Sequence, residues 1–183
     1  MKTKLLNASA VIALAVAGGA MAASNPMVGG APMLDNKNII QNAVNSKDHT
    51  TLVAAVKAGG LADTLQGPGP FTVFAPTNAA FAALPAGTVD TLLKPENKDR
   101  LDKILTYHVV PGRFDTRTLD QQIVNGGGRA VLKTVQGESL TVRGSGKNLM
   151  VTDEKGGTAH VTIVDVYQSN GVIQVVDRVL LPN

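Results

Sequence analysis

The chain has 183 residues, enough for one domain with a substantial core, and its formal net charge is +3. Aromatic residues make up only 3% of the sequence, so small side chains such as Ala, Val and Leu supply the hydrophobic content. Cysteine is absent, which excludes disulfide bonds, thiolate metal sites and a cysteine nucleophile. No basic stripe is interleaved with aromatic residues, so nucleic acid is not expected as a partner.

The first 22 residues have the pattern of a secretory signal peptide. Lys2 and Lys4 supply a positive start, residues 11–17 are apolar, and Ala20-Met-Ala22 has the small-x-small pattern after which a signal peptidase cuts. The apolar run is too short to favour a membrane-spanning helix, and an uncleaved anchor is the alternative. Cleavage would lower the formal charge from +3 to +1 and place the protein in the periplasm or outside the cell.

Residues 23–36 contain the proline and glycine residues typical of a flexible N-terminal segment, so the folded domain is expected over residues 37–183. Apolar residues at helical spacing follow in several short segments. They predict helices near residues 39–44, 52–59, 61–65, 87–93 and 95–108.

The segment Phe71–Phe81 combines a strand pattern with a helix start. An apolar run meets Pro76, which has no backbone N–H, and two good helix N-cap residues follow it. We therefore expect a buried strand that turns sharply into a short helix. The residues that define this structural signature are Phe74, Pro76, Thr77, Asn78 and Phe81.

Short β-rich runs fill the C-terminal third, separated by glycine-containing turns. Asn170-Gly171 is a strong two-residue turn signal, and the three glycines at 126–128 predict a mobile loop. Helices first and strands afterwards favour an α+β domain. The predicted strands cover residues 130–135, 140–143, 149–152, 161–166 and 172–181.

The sequence offers no pattern for catalysis or metal binding. His49, His108 and His160 lie far apart and form no HExxH motif, so neither a metal site nor a cofactor is predicted. A serine hydrolase would need its nucleophile on a strained turn, a pattern that Gly144-Ser-Gly146 lacks. The glycines at 126–128 are not followed by the Lys-Ser/Thr pair of a phosphate loop. We therefore predict that the protein is not an enzyme.

Two adjacent residues admit both a structural and a functional interpretation. His108 shares a helical face with Leu101 and Ile104, which favours a buried, hydrogen-bonded histidine over one that titrates or contacts a ligand. For Tyr107, a half-buried side chain with a bonded hydroxyl is favoured over an interface residue.

Asp177 interrupts the last apolar run. This position predicts that its side chain either lies on the solvent side of that strand or accepts a hydrogen bond from a helix terminus.

Three sequence blocks resemble the fasciclin domain family, in the expected order. Phe71–Phe81 resembles the family's first signature, Tyr107–Arg113 resembles its Tyr-His motif, and Ser169–Pro182 resembles its second signature. The resemblance covers about residues 37–182. It implies an α+β fold: a single fasciclin-like domain with helices packed on a sandwich or wedge of short β-strands.

The resemblance also implies an exported, non-enzymatic adhesion or binding module that contacts cell-surface, matrix or polysaccharide partners. On this basis Tyr107, His108 and Asp177 are candidate binding residues. Gln174 stands where many relatives carry His or another residue. Animal adhesive versions occur as tandem domains, whereas this sequence has one copy, so their integrin-contact role does not transfer.

A second hypothesis is a protein that binds a small apolar ligand. Some fasciclin-like proteins bind carotenoids or other apolar molecules along the helix–sheet surface. The residues that could form such a groove here are Leu52, Val56 and the Val109-Val110 pair.

Overall fold

The computed structural model describes residues 25–183. The helices are α1 (Ile39–Ala43), α2 (Thr50–Gly59), α3 (Ala62–Gln66), α4 (Asn78–Ala82), α5 (Thr88–Leu92), α6 (Lys98–Tyr107) and α7 (Thr116–Asn125), with short 3-10 turns at Lys47–His49 and Pro95–Asn97. The strands are β1 (Met27–Val28), β2 (Ala31–Pro32), β3 (Phe71–Pro76), β4 (Val109–Pro111), β5 (Ala130–Lys133), β6 (Ser139–Ser145), β7 (Asn148–Thr152), β8 (Thr158–Gln168) and β9 (Gly171–Val176).

Seven strands form one sheet in the order β4-β3-β9-β8-β7-β6-β5. Strands β3 and β9 run parallel, and every other neighbouring pair is antiparallel. The backbone N–H of Val135, just after β5, donates to the carbonyl of Val109 in β4 at 2.8 Å. Because β4 and β5 are the two ends of the sheet, this bond joins the two ends of a curled sheet.

Two hydrophobic clusters form the core. The first contains residues of helices α1 to α6 and of strands β3 and β9, including Phe81. The second lies inside the curl, where Leu140, Val142, Leu149 and Val151 face inward at the alternate positions that a strand buries. Helices packed on short strands confirm the α+β class predicted from the sequence.

Residues 26–33 form a packed hairpin, which corrects the prediction of flexibility for this part of the segment 23–36. Strands β1 and β2 pair through Val28 and Ala31, and Val28 and Met33 are buried in the first cluster. The glycine at position 29 serves a close approach, since a Cβ there would lie 2.4 Å from Ser46 Oγ. The predicted signal peptide lies outside the described residues.

Each predicted helix is confirmed, whereas α7 was not predicted from the sequence. Its N-cap is Asp115, whose Oδ1 accepts a hydrogen bond from Thr118 N at 2.9 Å. Leu119 and Ile123 lie one turn apart on its buried face. Three of its ten residues are apolar, and only Leu119 and Ile123 share the buried face, so the periodic signal is weak and the sequence pattern did not reveal the helix.

The last strand ends at Val176, so the prediction of a strand through residue 181 is wrong. Beyond Val176 the chain is irregular, and two of its backbone donors bond to side chains. Leu180 N donates to His108 Nε2 at 3.0 Å, and Leu181 N donates to Asp153 Oδ2, also at 3.0 Å. These side-chain acceptors replace a neighbouring strand, and only the tertiary structure brings them there.

The β8–β9 turn differs by one residue from the Asn170-Gly171 signal. Gln168 pairs with Gly171, so the turn residues are Ser169 and Asn170. The Asn170 side chain is buried, and it accepts from Ile39 N at 3.0 Å and donates to the carbonyls of Leu65 and Gly67. The residue therefore ties the β8–β9 turn to α1 and to the end of α3.

Candidate functional site

The first signature forms the predicted strand, turn and helix. Strand β3 ends at Pro76, and Thr77 caps α4, with its Oγ1 accepting from Ala80 N at 3.3 Å. Phe74 and Phe81 are buried, one in each hydrophobic cluster. This signature therefore joins the two halves of the core.

Asn78 has a different role from the α4 cap that its position suggests. Its Oδ1 accepts from Thr51 N at 3.0 Å and from Thr50 Oγ1 at 3.2 Å, and its Nδ2 donates to Lys47 O at 2.8 Å. The Asn78 side chain thus caps the first turn of α2 across the tertiary structure. The residue at the N-cap position of α2, His49, makes no side-chain capping bond.

Tyr107, in the Tyr-His motif, is a fully buried connector. Its hydroxyl donates to Ser139 O at 2.9 Å and accepts from Glu154 N at 3.0 Å. Burial raises the pKa of Tyr107 to about 12, so the hydroxyl stays protonated and keeps its donor role at neutral pH. The side chain joins the end of α6 to β6 and to the β7–β8 turn.

His108 is buried and bonded through both ring nitrogens. Its Nδ1 donates to Ile104 O at 2.8 Å, and its Nε2 accepts from Leu180 N at 3.0 Å. This pattern requires the neutral ring with its proton on Nδ1. Burial lowers the pKa of His108 to about 4, so the ring is neutral at physiological pH.

Asp177 lies on the surface, and its partner is a strand rather than a helix terminus. Its Oδ1 accepts from His160 N at 2.7 Å, and its backbone N–H donates to His160 O at 3.1 Å. Asp177 is exposed, whereas Tyr107 and His108 are buried. The three candidate binding residues therefore do not share an accessible surface, and a binding role for Asp177 stays a prediction.

The apolar groove of the second hypothesis is part of the core. Leu52, Val56, Val109 and Val110 are all buried, and the first three line an enclosed cavity of about 40 Å³. That volume holds about one or two water molecules, whereas a drug-sized ligand needs roughly 300 Å³ or more. The described residues thus provide no open groove for a carotenoid at this place.

Three polar residues, Ser46, His49 and His108, line that cavity, and His49 is the one with an unbonded ring nitrogen. His49 is 4% exposed, and its Nδ1 lies 2.9 Å from Ser46 Oγ, while its Nε2 has no hydrogen-bond partner among residues 25–183. Burial lowers the pKa of His49, which keeps the ring neutral at physiological pH. A neutral ring limits the cost of leaving Nε2 unbonded.

An open cleft in the described part of the chain was not predicted from the sequence. It has a volume of about 710 Å³. Its walls are the residues on either side of the β1–β2 hairpin, the turn after β4, and the C-terminal half of β8. Asp35, Arg113 and Tyr167 are exposed on its walls. Each is an isolated polar or aromatic residue in its own segment, so no local pattern could have grouped them.

A β-bulge forms one end of this cleft. The pairing of β8 with β9 shifts between Ile163 and Val166, and Asp165 has a φ of 55°. The buried Gln174 supports the bulge, with its Oε1 accepting from Asp165 N at 3.1 Å and its Nε2 donating to Asp165 Oδ1 at 3.0 Å. The residue noted as a departure from the family pattern thus stabilises a strained backbone position.

The comparison with family models agrees with this arrangement. The fasciclin domain model matches residues 47–182, which include all three motif blocks. The chain belongs to the fasciclin domain family. The match covers most of the sequence, and the residues of the three blocks form the core connections described above.

Relatives of this fasciclin domain occur in several bacteria. Protein sll1483 of Synechocystis is 49% identical over 79% of this chain and 73% of its own length. The cell surface glycolipoprotein MPB83 of Mycobacterium bovis is 41% identical over 67% of this chain and 48% of its own length. The chain thus spans about half the length of MPB83.

A solved structure has the same fold. It is a FAS1 domain pair from the insect cell adhesion molecule fasciclin I, with a TM-score of 0.71, 18% identity, and coverage of 79% of this chain and 51% of that one. Fasciclin domains are non-enzymatic and are associated with cell adhesion. The prediction that the chain is not an enzyme is therefore confirmed by the family.

Two searches of the described residues complete the survey. Residues 25–183 contain no group of three or more His, Asp or Glu side chains placed to hold a metal ion. In the same part of the chain, no helix has both the length and the apolar character needed to cross a membrane.

Proposed function

We propose that this fasciclin domain is an exported adhesion module that binds a partner at the cell surface or in the surrounding matrix. The partner is a surface protein, a matrix component or a polysaccharide. The observation that supports this function most is membership in a family associated with cell adhesion. The motif residues Tyr107 and His108 are buried and bonded inside the domain, so contacts with the partner fall to other, exposed residues.

Export is part of the proposal. The Ala20-Met-Ala22 pattern supports removal of residues 1–22 by a signal peptidase, which would leave the domain of residues 37–183 with its preceding segment in the periplasm, at the cell surface or in the medium. The relative MPB83 is named a cell surface glycolipoprotein, and this name supports a location outside the cytoplasmic membrane.

The function is tested with the exported protein and intact cells of the source organism. We expect labelled protein to bind the cells saturably, unlabelled protein to compete, and a deletion strain to attach or aggregate less than the wild type. Protease and periodate treatment of the cells then distinguish a protein partner from a polysaccharide. Absence of saturable binding, together with a cytoplasmic location in fractionated cells, would refute the proposal.

Asp177 has its own variant in this assay. If Asp177 contacts the partner, Asp177→Ala weakens cell binding while the melting temperature stays within a few degrees of wild type. Asp90→Ala is the matched control, because Asp90 is also an exposed acid and its side chain makes no hydrogen bond or ion pair in the described structure. Equal binding by the two variants would remove Asp177 from the contact surface.

A further inference from the structure

We propose that the cleft lined by Asp35, Arg113, Asp165 and Tyr167 is a binding site for a neutral sugar residue. We call it the Tyr167 cleft. This inference rests on the proposed adhesion function, and it specifies both the class of partner, a polysaccharide, and the place where it binds. The volume of about 710 Å³ lies within the range of ligand sites, roughly 300 to 1,000 Å³.

The exposed aromatic ring is the first observation. The chain has four Phe and two Tyr residues and no Trp, and all of these aromatic residues lie in the described part. Tyr167 is the most exposed aromatic side chain among them, with 40% of its surface accessible. An aromatic ring buries a large apolar area when it is covered, and the C–H face of a sugar ring can cover it while the hydroxyls stay at the rim.

The ring is held in place. The Tyr167 hydroxyl donates to Asp115 Oδ2 at 3.2 Å, and Asp115 is itself fixed as the N-cap of α7. Burial of part of the side chain, together with the nearby carboxylates, raises the pKa of Tyr167, so the hydroxyl stays protonated and the bond persists at neutral pH. A fixed platform loses little conformational entropy on binding.

Hydrogen-bond donors and acceptors line the same cleft as the ring. Arg113 is exposed, and its Nη2 donates to Gln168 O at 3.1 Å, which leaves further N–H donors of the guanidinium group for a ligand. Asp35 is exposed, and its carboxylate makes no hydrogen bond or ion pair within the described chain. Sugar hydroxyls both donate and accept, so they match this mixture.

The charge of the Tyr167 cleft favours a neutral ligand over an acidic one. Two carboxylates, those of Asp35 and Asp165, line it together with one guanidinium group, that of Arg113. An anionic sugar would meet more negative than positive charge, and like charges close together are unfavourable. Neutral hexose units are therefore the class that the chemistry fits.

One end of the Tyr167 cleft contains a strained backbone position, Asp165, that neighbouring side chains and backbone groups hold in place. Asp165 is the one non-glycine residue with a positive φ in the described chain, and Thr116 N donates to its Oδ1 at 2.7 Å. Such a conformation costs free energy, and it persists here because Gln174 and Thr116 hold the side chain. Strained, well-supported positions are common at binding sites, where they keep the geometry ready for the ligand.

The test uses the exported protein and a panel of neutral gluco-, manno- and galacto-oligosaccharides, with uronic-acid oligosaccharides and short peptides as comparison probes. Titration calorimetry measures binding. Tyrosine emission gives a second readout, because the chain has no Trp and Tyr167 would be covered. We expect saturable binding of at least one neutral oligosaccharide, with a change in tyrosine emission.

Four variants and one control locate the site. Tyr167→Ala and Arg113→Gln should each weaken sugar binding by about tenfold or more, whereas Tyr167→Phe keeps the ring and should stay within about threefold of wild type. Asp35→Asn tests the site without risk to folding, since its side chain is exposed and unbonded, and it should weaken binding severalfold. Arg143→Gln is the matched control, because Arg143 is an exposed arginine on β6, which β7 separates from β8, and it does not line the Tyr167 cleft.

The outcomes separate this inference from the adhesion function. Binding of a neutral sugar that Tyr167→Ala, Arg113→Gln and Asp35→Asn weaken, and that Arg143→Gln leaves unchanged, supports the site. No binding of any oligosaccharide, preferential binding of peptides or acidic sugars, or sugar binding that is equal in all variants would overturn it. If the protein still binds intact cells in those cases, the adhesion function stands and only the Tyr167 cleft is excluded.

Discussion

The side-chain Oδ1 of Asn78 accepts a hydrogen bond from the backbone N–H of Thr51 at 3.0 Å, so a residue at the start of α4 caps α2. The same side chain donates to Lys47 O, in the 3-10 turn that precedes α2. One amide therefore fixes three local elements relative to one another. This long-range cap gives the first signature a structural role that its sequence alone does not show.

We predict that Asn78→Ala lowers the free energy of unfolding by about 1–2 kcal/mol, because the α2 cap and the bond to Lys47 O are both lost. Asn78→Asp should cost less, since a carboxylate keeps the acceptor for Thr51 N. Thr77→Ala, which removes the true α4 cap, should cost about 1 kcal/mol. Denaturant midpoints measure all three, and a neutral Asn78→Ala would contradict the long-range cap.

Phe81→Ala should be more damaging than any of these cap variants. Phe81 is buried in the first hydrophobic cluster, and truncating a buried phenylalanine costs roughly 3–5 kcal/mol. Phe71→Ala is the comparison, because Phe71 is only partly buried and should lose less. The same denaturant series tests the ranking, and a Phe81→Ala loss no larger than that of Asn78→Ala would show that the core assignment is wrong.

Stability should fall as the solution is acidified from about pH 6.5 towards pH 4. The pKa of His108 is about 4 in the folded protein against an ordinary value of 6.5, so the unfolded chain binds the extra proton first in this window. The contribution of the neutral His108 ring to the free energy of unfolding is fully present above pH 6.5. It is lost as the pH falls from 6.5 to about 4, and the total loss is about 3 kcal/mol. The pKa of His49 is also lowered, so its loss of stability has the same sign.

Denaturant unfolding between pH 7 and pH 5 measures this dependence, because most carboxylates remain ionised there. His160→Ala is the control, since His160 is exposed and its side chain makes no hydrogen bond in the described structure, and it should leave the slope unchanged. A flat stability profile for the wild type would contradict a neutral, buried His108.

At neutral pH, His108→Ala should lower the free energy of unfolding by a few kcal/mol. The variant leaves a cavity and orphans both Ile104 O and Leu180 N. Any defect in cell binding should follow unfolding and disappear at low temperature. A fully stable His108→Ala protein that has lost partner binding would instead assign a direct binding role to the Tyr-His motif.

The exported protein should begin at Ala23, because Ala20-Met-Ala22 is the predicted cleavage pattern. Intact-mass measurement of protein from the periplasm or medium gives the answer. As a control, Ala22→Arg places a large charged residue at the cleavage position and should leave the precursor uncut. A wild-type mass that retains residues 1–22 would favour the uncleaved anchor.

The sequence by itself determined the fold class and most of the short helices. Apolar spacing and glycine stops are local signals, so α2 ended at its predicted Gly59-Gly60 boundary and β3 met Pro76 as expected. The helical face shared by His108 and Ile104 likewise favoured a buried histidine, and the structure confirms it. Local patterns sufficed because each of these features depends on residues a few positions apart.

Only the tertiary structure decided which distant groups meet. Asn78 bonds to α2 rather than to its own helix, and Leu180 N finds His108 where a continuous strand was expected. The Tyr167 cleft combines side chains from three separate segments, of which Arg113 and Asp35 belong to no shared pattern. Hydrogen bonds and clefts of this kind depend on how the sheet curls and the helices pack, and sequence spacing carries no information about those distances.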